Sequence, residues 1–291
     1  MLIDTHCHIH EADYPLPVAD VLQRAAGANV GKMILVGTSE QSSKDAIKLA
    51  VQHDNLFATI GVHPHDTKDG YGKIAELASD AVYLHASGHL QPESDQTPGL
   101  LSDPERSRSE HERYQQRAVV AVGEIGLDYY YNHSPRDVQI TALESQIQTA
   151  LDNNLPIIFH VREAFQDFWP IFDNFHGIRG VLHSFTDSQA NLDEGFTRGL
   201  YVGVNGISTF TKDSAQQEMY ASIPLDKMLF ETDAPFLTPA PYRGTINEPA
   251  FVSEVAKFHA DTRGVSLADI AAATTANANA LFQFASSHHK A

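Results

Sequence analysis

Histidines and carboxylates recur at positions where they could hold metal ions. His6 and His8 are two residues apart, a spacing that aims both imidazoles the same way from an extended chain while Cys7 points away. His160, His183, Glu124 and Asp233 each lie at or just after a short apolar run. Taken singly, each has an ordinary structural role open to it: a hydrogen-bonded core histidine, an ion-paired glutamate, a turn-forming aspartate. Together, four histidines and two carboxylates would hold two divalent ions. Imidazole favours Zn²⁺, and the carboxylates also suit Mn²⁺ or Mg²⁺. Two such ions activate water near neutral pH and polarise a phosphoryl or acyl oxygen. Asp233 is the candidate to orient or deprotonate that water, with Glu124 as the carboxylate shared between the ions. No Ser-His-Asp nucleophile elbow competes with this reading.

The elements that must bring these residues together are short and alternate regularly. Apolar runs at 2–6, 32–37, 57–61, 119–123, 156–160, 179–183, 200–204 and 228–232 predict eight strands buried on both faces, as in a parallel sheet. Helical patterns are expected at 17–28, 40–53, 134–153, 163–175, 187–198, 213–222, 248–262 and 266–285. Ser134 is the expected N-cap of the third of these and Ser266 of the last. Eight strands alternating with helices predict an α/β fold, a (β/α)₈ TIM barrel forming one domain over 1–291, with the metal site at the C-terminal ends of the strands. No glycine-rich dinucleotide fingerprint follows a strand, which weighs against a doubly wound sheet. Residues 85–117, polar and rich in Ser, Gln, Pro and charge, are expected to be an insertion in the loop after the third strand.

Charge narrows the substrate. The chain has 291 residues, 20 Lys+Arg, 37 Asp+Glu and a formal net charge of −17, so no broad basic face is expected for long duplex nucleic acid or an anionic membrane. A phosphate must instead meet a few local cations or a metal. Arg162 and Arg243 are the candidate phosphate clamps. His63 and His65 are candidate substrate contacts beyond the third strand. Tyr129, Tyr130, Tyr131 and Phe185 are candidates to stack on a base. One cysteine excludes an internal disulfide. With no apolar run of about 18 residues and no signal-like start, a cytoplasmic location is expected, with no membrane association and no obligate protein partner.

The motifs, in order, are Ile3-Asp4-Thr5-His6-Cys7-His8, Gly61-Val62-His63-Pro64-His65, Gly123-Glu124-Ile125-Gly126-Leu127-Asp128-Tyr129-Tyr130, Phe159-His160-Val161-Arg162-Glu163-Ala164, Glu231-Thr232-Asp233-Ala234-Pro235-Phe236-Leu237, Pro241-Tyr242-Arg243-Gly244 and Asn247-Glu248-Pro249. Over nearly its whole length the chain resembles the TatD family of metal-dependent deoxyribonucleases, among the amidohydrolase-like barrels. The resemblance implies a two-metal site: His6, His8, Glu124 and Asp233 on one ion, and Glu124, His160 and His183 on the other. It implies hydrolysis of DNA phosphodiester bonds, 3′→5′ exonuclease-like, on single-stranded or frayed ends. The same site chemistry admits ester or amide hydrolysis, such as D-aminoacyl-tRNA deacylation. Three departures bear on substrate rather than on metal: His183-Ser184-Phe185-Thr186-Asp187 replaces a His-Cys-Phe-Ser-Gly pattern, Thr245 stands where a lysine is usual, and 85–117 is long. A catalytically silent scaffold is disfavoured because all six ligand positions are retained.

Overall fold

The computed structural model describes residues 1–86 and 118–284. The expected insertion at 85–117 therefore lies outside the described residues, apart from its first two positions. Eight strands form one parallel sheet in sequential order: β1 Leu2–Cys7, β2 Val30–Leu35, β3 Leu56–Ile60, β4 Val119–Asp128, β5 Ile157–Arg162, β6 Gly180–Leu182, β7 Tyr201–Val204 and β8 Met228–Phe230. The ring closes between its first and last members through a parallel bridge, Cys7 to Ala234, just beyond β8. This is a (β/α)₈ barrel.

The helices are α1 Val18–Gly27, α2 Glu40–Ala50, α3 Lys73–Ala86, α4 Arg136–Asp152, α5 Phe165–Asp173, α6 Gln189–Thr197, α7 Ser214–Ser222, α8 Val252–Arg263 and α9 Leu267–Phe282. α3 has no counterpart among the expected helices. Its buried Ile74 and Ala78 sit four apart, but one of the pair is alanine, which gives little amphipathic signal. Ser266 caps α9 by accepting from the Asp269 N–H, as its position predicts. Ser134 does not cap α4. Its hydroxyl donates to the His65 carbonyl at 2.6 Å and accepts from the Lys68 N–H, tying down the loop after β3.

Two apolar layers hold the barrel. The larger lies between strands and helices and includes Cys7, Met33, Leu35, Val122, Ile125, Phe159 and Leu182. The smaller fills the barrel's N-terminal end with Ile3, Ile34, Phe57, Val120, Ile158, Val181 and Leu229, and the last turns of α9 seal it with Ala278, Leu281 and Phe282. The strands are buried on both faces, so little distinguishes them in sequence except their largely apolar character, with polar residues toward the C-terminal ends of β1 and β4.

β1 runs one residue past its expected end, β6 stops one short so that His183 lies just beyond it, and two strands run further still. β4 continues to Asp128 and β5 to Arg162, so Glu124 and His160 lie within strands rather than beyond or at their ends. Polar residues interrupt the apolar run without interrupting the ladder, since Ile125 to Asp128 pair with Phe159 to Arg162. The register slips between Val122 and Ile125, a bulge that re-aims Glu124. Gly126 makes the close approach possible, because a Cβ there would lie 1.8 Å from the His160 carbonyl oxygen.

Candidate metal centre

At the C-terminal ends of the strands the apolar filling gives way to imidazoles and carboxylates. β1 delivers His6, and the chain just past it delivers His8. The segment after β8 is stitched to β1 by the Thr232 N–H on Asp4 Oδ1 (2.8 Å), the Asp233 N–H on the His6 carbonyl (2.8 Å) and the His8 N–H on the Ala234 carbonyl (2.8 Å). This lattice holds Asp233 at φ 59°, a left-handed conformation that aspartate tolerates better than most residues. It turns the carboxylate toward the two histidines, with Asp233 Oδ1 3.4 Å from His8 Nε2 and 3.6 Å from His6 Nε2.

Glu124 stands at the centre. Its Oε2 is 3.3 Å from His6 Nε2; its Oε1 is 2.7 Å from His160 Nδ1, 3.3 Å from His183 Nε2 and 3.5 Å from His63 Nε2. Three groups have ligand atoms all within 4.8 Å of one another: His6, Glu124 and His183; His6, His8 and Asp233; His63, Glu124 and His160. The six residues expected to bind metal converge, and His63 joins them.

The ring nitrogens facing away from this centre reveal which ones can coordinate. His8 Nδ1 is 2.9 Å from the Val36 carbonyl, which only accepts, so that nitrogen carries a proton, and a bound cation would meet Nε2 in place of the proton that Nε2 otherwise shares with Asp233. That Nε2 lies 3.1 Å from His6 Nε2. His183 Nδ1 is 3.0 Å from Glu231 Oε1, and His160 Nε2 is 3.0 Å from Asp128 Oδ2. These three imidazoles are thus held by an acceptor on the outer nitrogen and present the inner one to Glu124 or Asp233, the arrangement that orients metal-ligating histidines, whereas the buried Nδ1 of His6 has no partner among the described residues. The donor set fits divalent cations. His63 is wired the other way. Its Nδ1 accepts the His65 N–H at 3.2 Å, so its neutral ring carries the proton on Nε2 and aims a donor, not a lone pair, at Glu124.

Electrostatics agree with a site built for positive charge. Burial works against the charged carboxylate of Glu124, but the charge of His183 and the hydrogen bond from His160 hold its pKa well below the usual range. Asp233 is lowered too: its hydrogen bond to His8 and the charges of His183, His6 and His8 outweigh burial. Burial disfavours protonated His183, yet Glu124 and Glu231 push its pKa up to about 10. Burial and neighbouring His160 hold His63 well below its ordinary value, keeping it neutral. Glu231 and Asp128, which hold the outer nitrogens, were not singled out from sequence. Their only signal there is a carboxylate inside a buried motif, two residues before Asp233 in one case and four after Glu124 in the other.

The rim differs from expectation in its aromatics. Phe185 is buried against Phe165, and Tyr129 is half-buried, its hydroxyl donating to Asp167 Oδ2 at 2.8 Å beneath Arg136. Neither is open to a base. Tyr130 and Tyr131 are exposed and carry the Arg162 guanidinium at 4.1 and 4.9 Å from their ring centres. Arg243 lies 3.8 Å from the Phe210 ring centre and donates to the Thr238 carbonyl. Among the described residues neither arginine pairs with a carboxylate, whereas Arg24 and Arg198 both do. His65 sits further out, its Nε2 3.0 Å from Asp128 Oδ2. Asp187 is occupied locally, accepting from the Ser188 N–H and the Asn191 side chain.

The family model described as TatD related DNase matches residues 3–283. The chain is 33% identical over 285 residues to an uncharacterized metal-dependent hydrolase, YabD, of Bacillus subtilis, covering 97% of this chain and 99% of that one. It is 34% identical over 274 residues to the 3′-5′ ssDNA/RNA exonuclease TatD of Salmonella typhimurium, covering 91% and 92%. Among solved structures it is similar to YJJV, a TatD homolog from Escherichia coli, with a TM-score of 0.78 at 26% identity, covering 97% and 98%. Barrel, buried ligand cluster and whole-length similarity agree: the chain belongs to the TatD family of metal-dependent hydrolases.

Proposed function

We propose that this hydrolase cleaves DNA phosphodiester bonds, 3′→5′ exonuclease-like, on single-stranded or frayed ends, using two divalent ions. His6, His8, Glu124 and Asp233 would hold one ion; Glu124, His160 and His183 would hold the other. Zn²⁺, Mg²⁺ and Mn²⁺ all suit the donors. Bound there, the ions would acidify water and polarise the phosphoryl oxygen. The observation that carries this reading is Glu124, whose two oxygens face His6 on one side and His160 and His183 on the other.

The chain's own residues supply the rest. Asp233 is ionised and takes the proton of the attacking water. His63, neutral with its Nε2–H turned inward, donates a hydrogen bond to the oxygen that gains charge. Arg162 and Arg243 lack carboxylate partners among the described residues, so their N–H edges are available to phosphate. Arg162, Tyr130 and Tyr131 form a charged aromatic platform suited to an unpaired nucleotide, and the net charge of −17 disfavours a long duplex. The exonuclease named among the relatives supports the same substrate.

The test is cleavage of end-labelled single-stranded DNA by metal-stripped protein re-supplied with Mg²⁺, Mn²⁺ or Zn²⁺, beside Asp233→Ala. Metal-dependent shortening that the variant lacks is expected, with the ladder giving polarity. Hydrolysis of aminoacyl-tRNA or small esters, with DNA untouched, would overturn it in favour of acyl chemistry.

A further inference from the structure

Asp128 receives three hydrogen bonds at the end of β4. The Tyr131 N–H donates to Oδ1 at 2.8 Å, and the Nε2 atoms of His160 and His65 both lie 3.0 Å from Oδ2. The carboxylate is fully buried. One side chain therefore joins a candidate ligand, the loop after β3 and the aromatic rim.

We propose that Asp128 is a positioning residue that fixes the tautomer of His160 when an ion is bound, keeping the proton on Nε2 and freeing the lone pair of Nδ1, the atom 2.7 Å from Glu124 Oε1. This rests on the reading of His160 as a ligand. The same contacts forecast what an isosteric amide does. In Asp128→Asn the amide oxygen stays with the Tyr131 N–H, which only donates. The NH₂ group then replaces Oδ2, and one of its hydrogens faces His160 Nε2. His160 must accept there, so its proton moves to Nδ1 and blocks the coordinating lone pair. Asp128→Ser, smaller but able to accept through its hydroxyl or an admitted water, does not impose that tautomer. If Asp128 served only packing, the isosteric asparagine would be the milder change.

The experiment is titration of Zn²⁺ into metal-stripped wild type, Asp128→Asn and Asp128→Ser against a competing chelating indicator, with folding checked by circular dichroism. Wild type is expected to take two equivalents. Asp128→Asn should bind the second about 10- to 100-fold more weakly, and more weakly than Asp128→Ser does. Equal affinity in wild type and Asp128→Asn, or a larger loss in Asp128→Ser, overturns the role of Asp128 and leaves the two-ion reading standing. One equivalent in wild type overturns both. Should Asp128→Asn not fold, ¹⁵N-histidine spectra of zinc-loaded wild type decide, with His160 assigned by its loss in His160→Gln. A proton on Nε2 supports the proposal, and a proton on Nδ1 overturns it.

Discussion

The two ends of the barrel obey different rules. The N-terminal end holds Ile3, Ile34, Phe57, Val120, Ile158, Val181 and Leu229 under the cover of α9. The C-terminal end holds His6, His8, Glu124 and His183 at comparable depth, with Asp233 partly exposed beside them. One end is filled by groups that gain from leaving water. The other gathers groups that lose hydration and must recover it from one another or from a cation. Stability and chemistry are thereby separated along the barrel axis, and a side chain changed at one end should be felt there first.

The same contrast operates within one residue type. His183 and His259 are both buried. Glu124 and Glu231 push His183 up to about 10, whereas burial and the nearby Arg263 push His259, bonded to Ser208, down to about 3. Burial alone does not set an imidazole's charge; the sign of the neighbouring groups does.

The sharpest way to break the comparison is at the polar end. Asp233→Asn should reduce hydrolysis by about 10²- to 10⁴-fold, the usual contribution of a positioned general base, with thermal unfolding of the metal-stripped protein little changed. Steady-state kinetics and calorimetry on the same sample check both halves. A comparable loss of melting temperature would show that the cup also bears the fold.

The reciprocal change is Leu229→Ala, fully buried at the apolar end. It should destabilise by about 2–5 kcal/mol in denaturant titrations while kcat per folded molecule stays near wild type. Arg162→Ala acts at the rim, removing hydrogen bonds between charged groups. It should raise KM for an oligonucleotide about tenfold or more with kcat nearly unchanged, and the increase should shrink at high salt.

A further expected effect is confined to acid pH. His259 has a folded-state pKa of about 3, below its ordinary 6.5, so the unfolded chain binds the extra proton between these values. Its contribution to stability is intact above pH 6.5 and declines as pH falls toward about 3. His259→Gln, which keeps a partner for Ser208, should flatten unfolding free energy against pH across that window. An unchanged slope would remove His259 from the account.

Much of this molecule was settled by the order of residues. Eight short, mainly apolar runs spaced by helical segments specify a barrel, because strands buried on both faces need mostly apolar side chains. The His6-x-His8 spacing and polar residues near the far end of each run place the candidate ligands on one rim. Tertiary structure decided what depends on partners distant in sequence. Val36, Asp128 and Glu231 select the ring nitrogens that face inward, and those contacts leave almost no trace in local pattern. The β4 bulge aims Glu124, since a register slip depends on the neighbouring strand. His63, legible only as a rim histidine, is turned into a donor beside Glu124 by a backbone N–H two residues on. Tyr129 and Phe185 are withdrawn from the rim by packing that composition does not encode. Residue type sets what chemistry a group can do; the direction of its proton or lone pair is set by whatever the fold places against its other side.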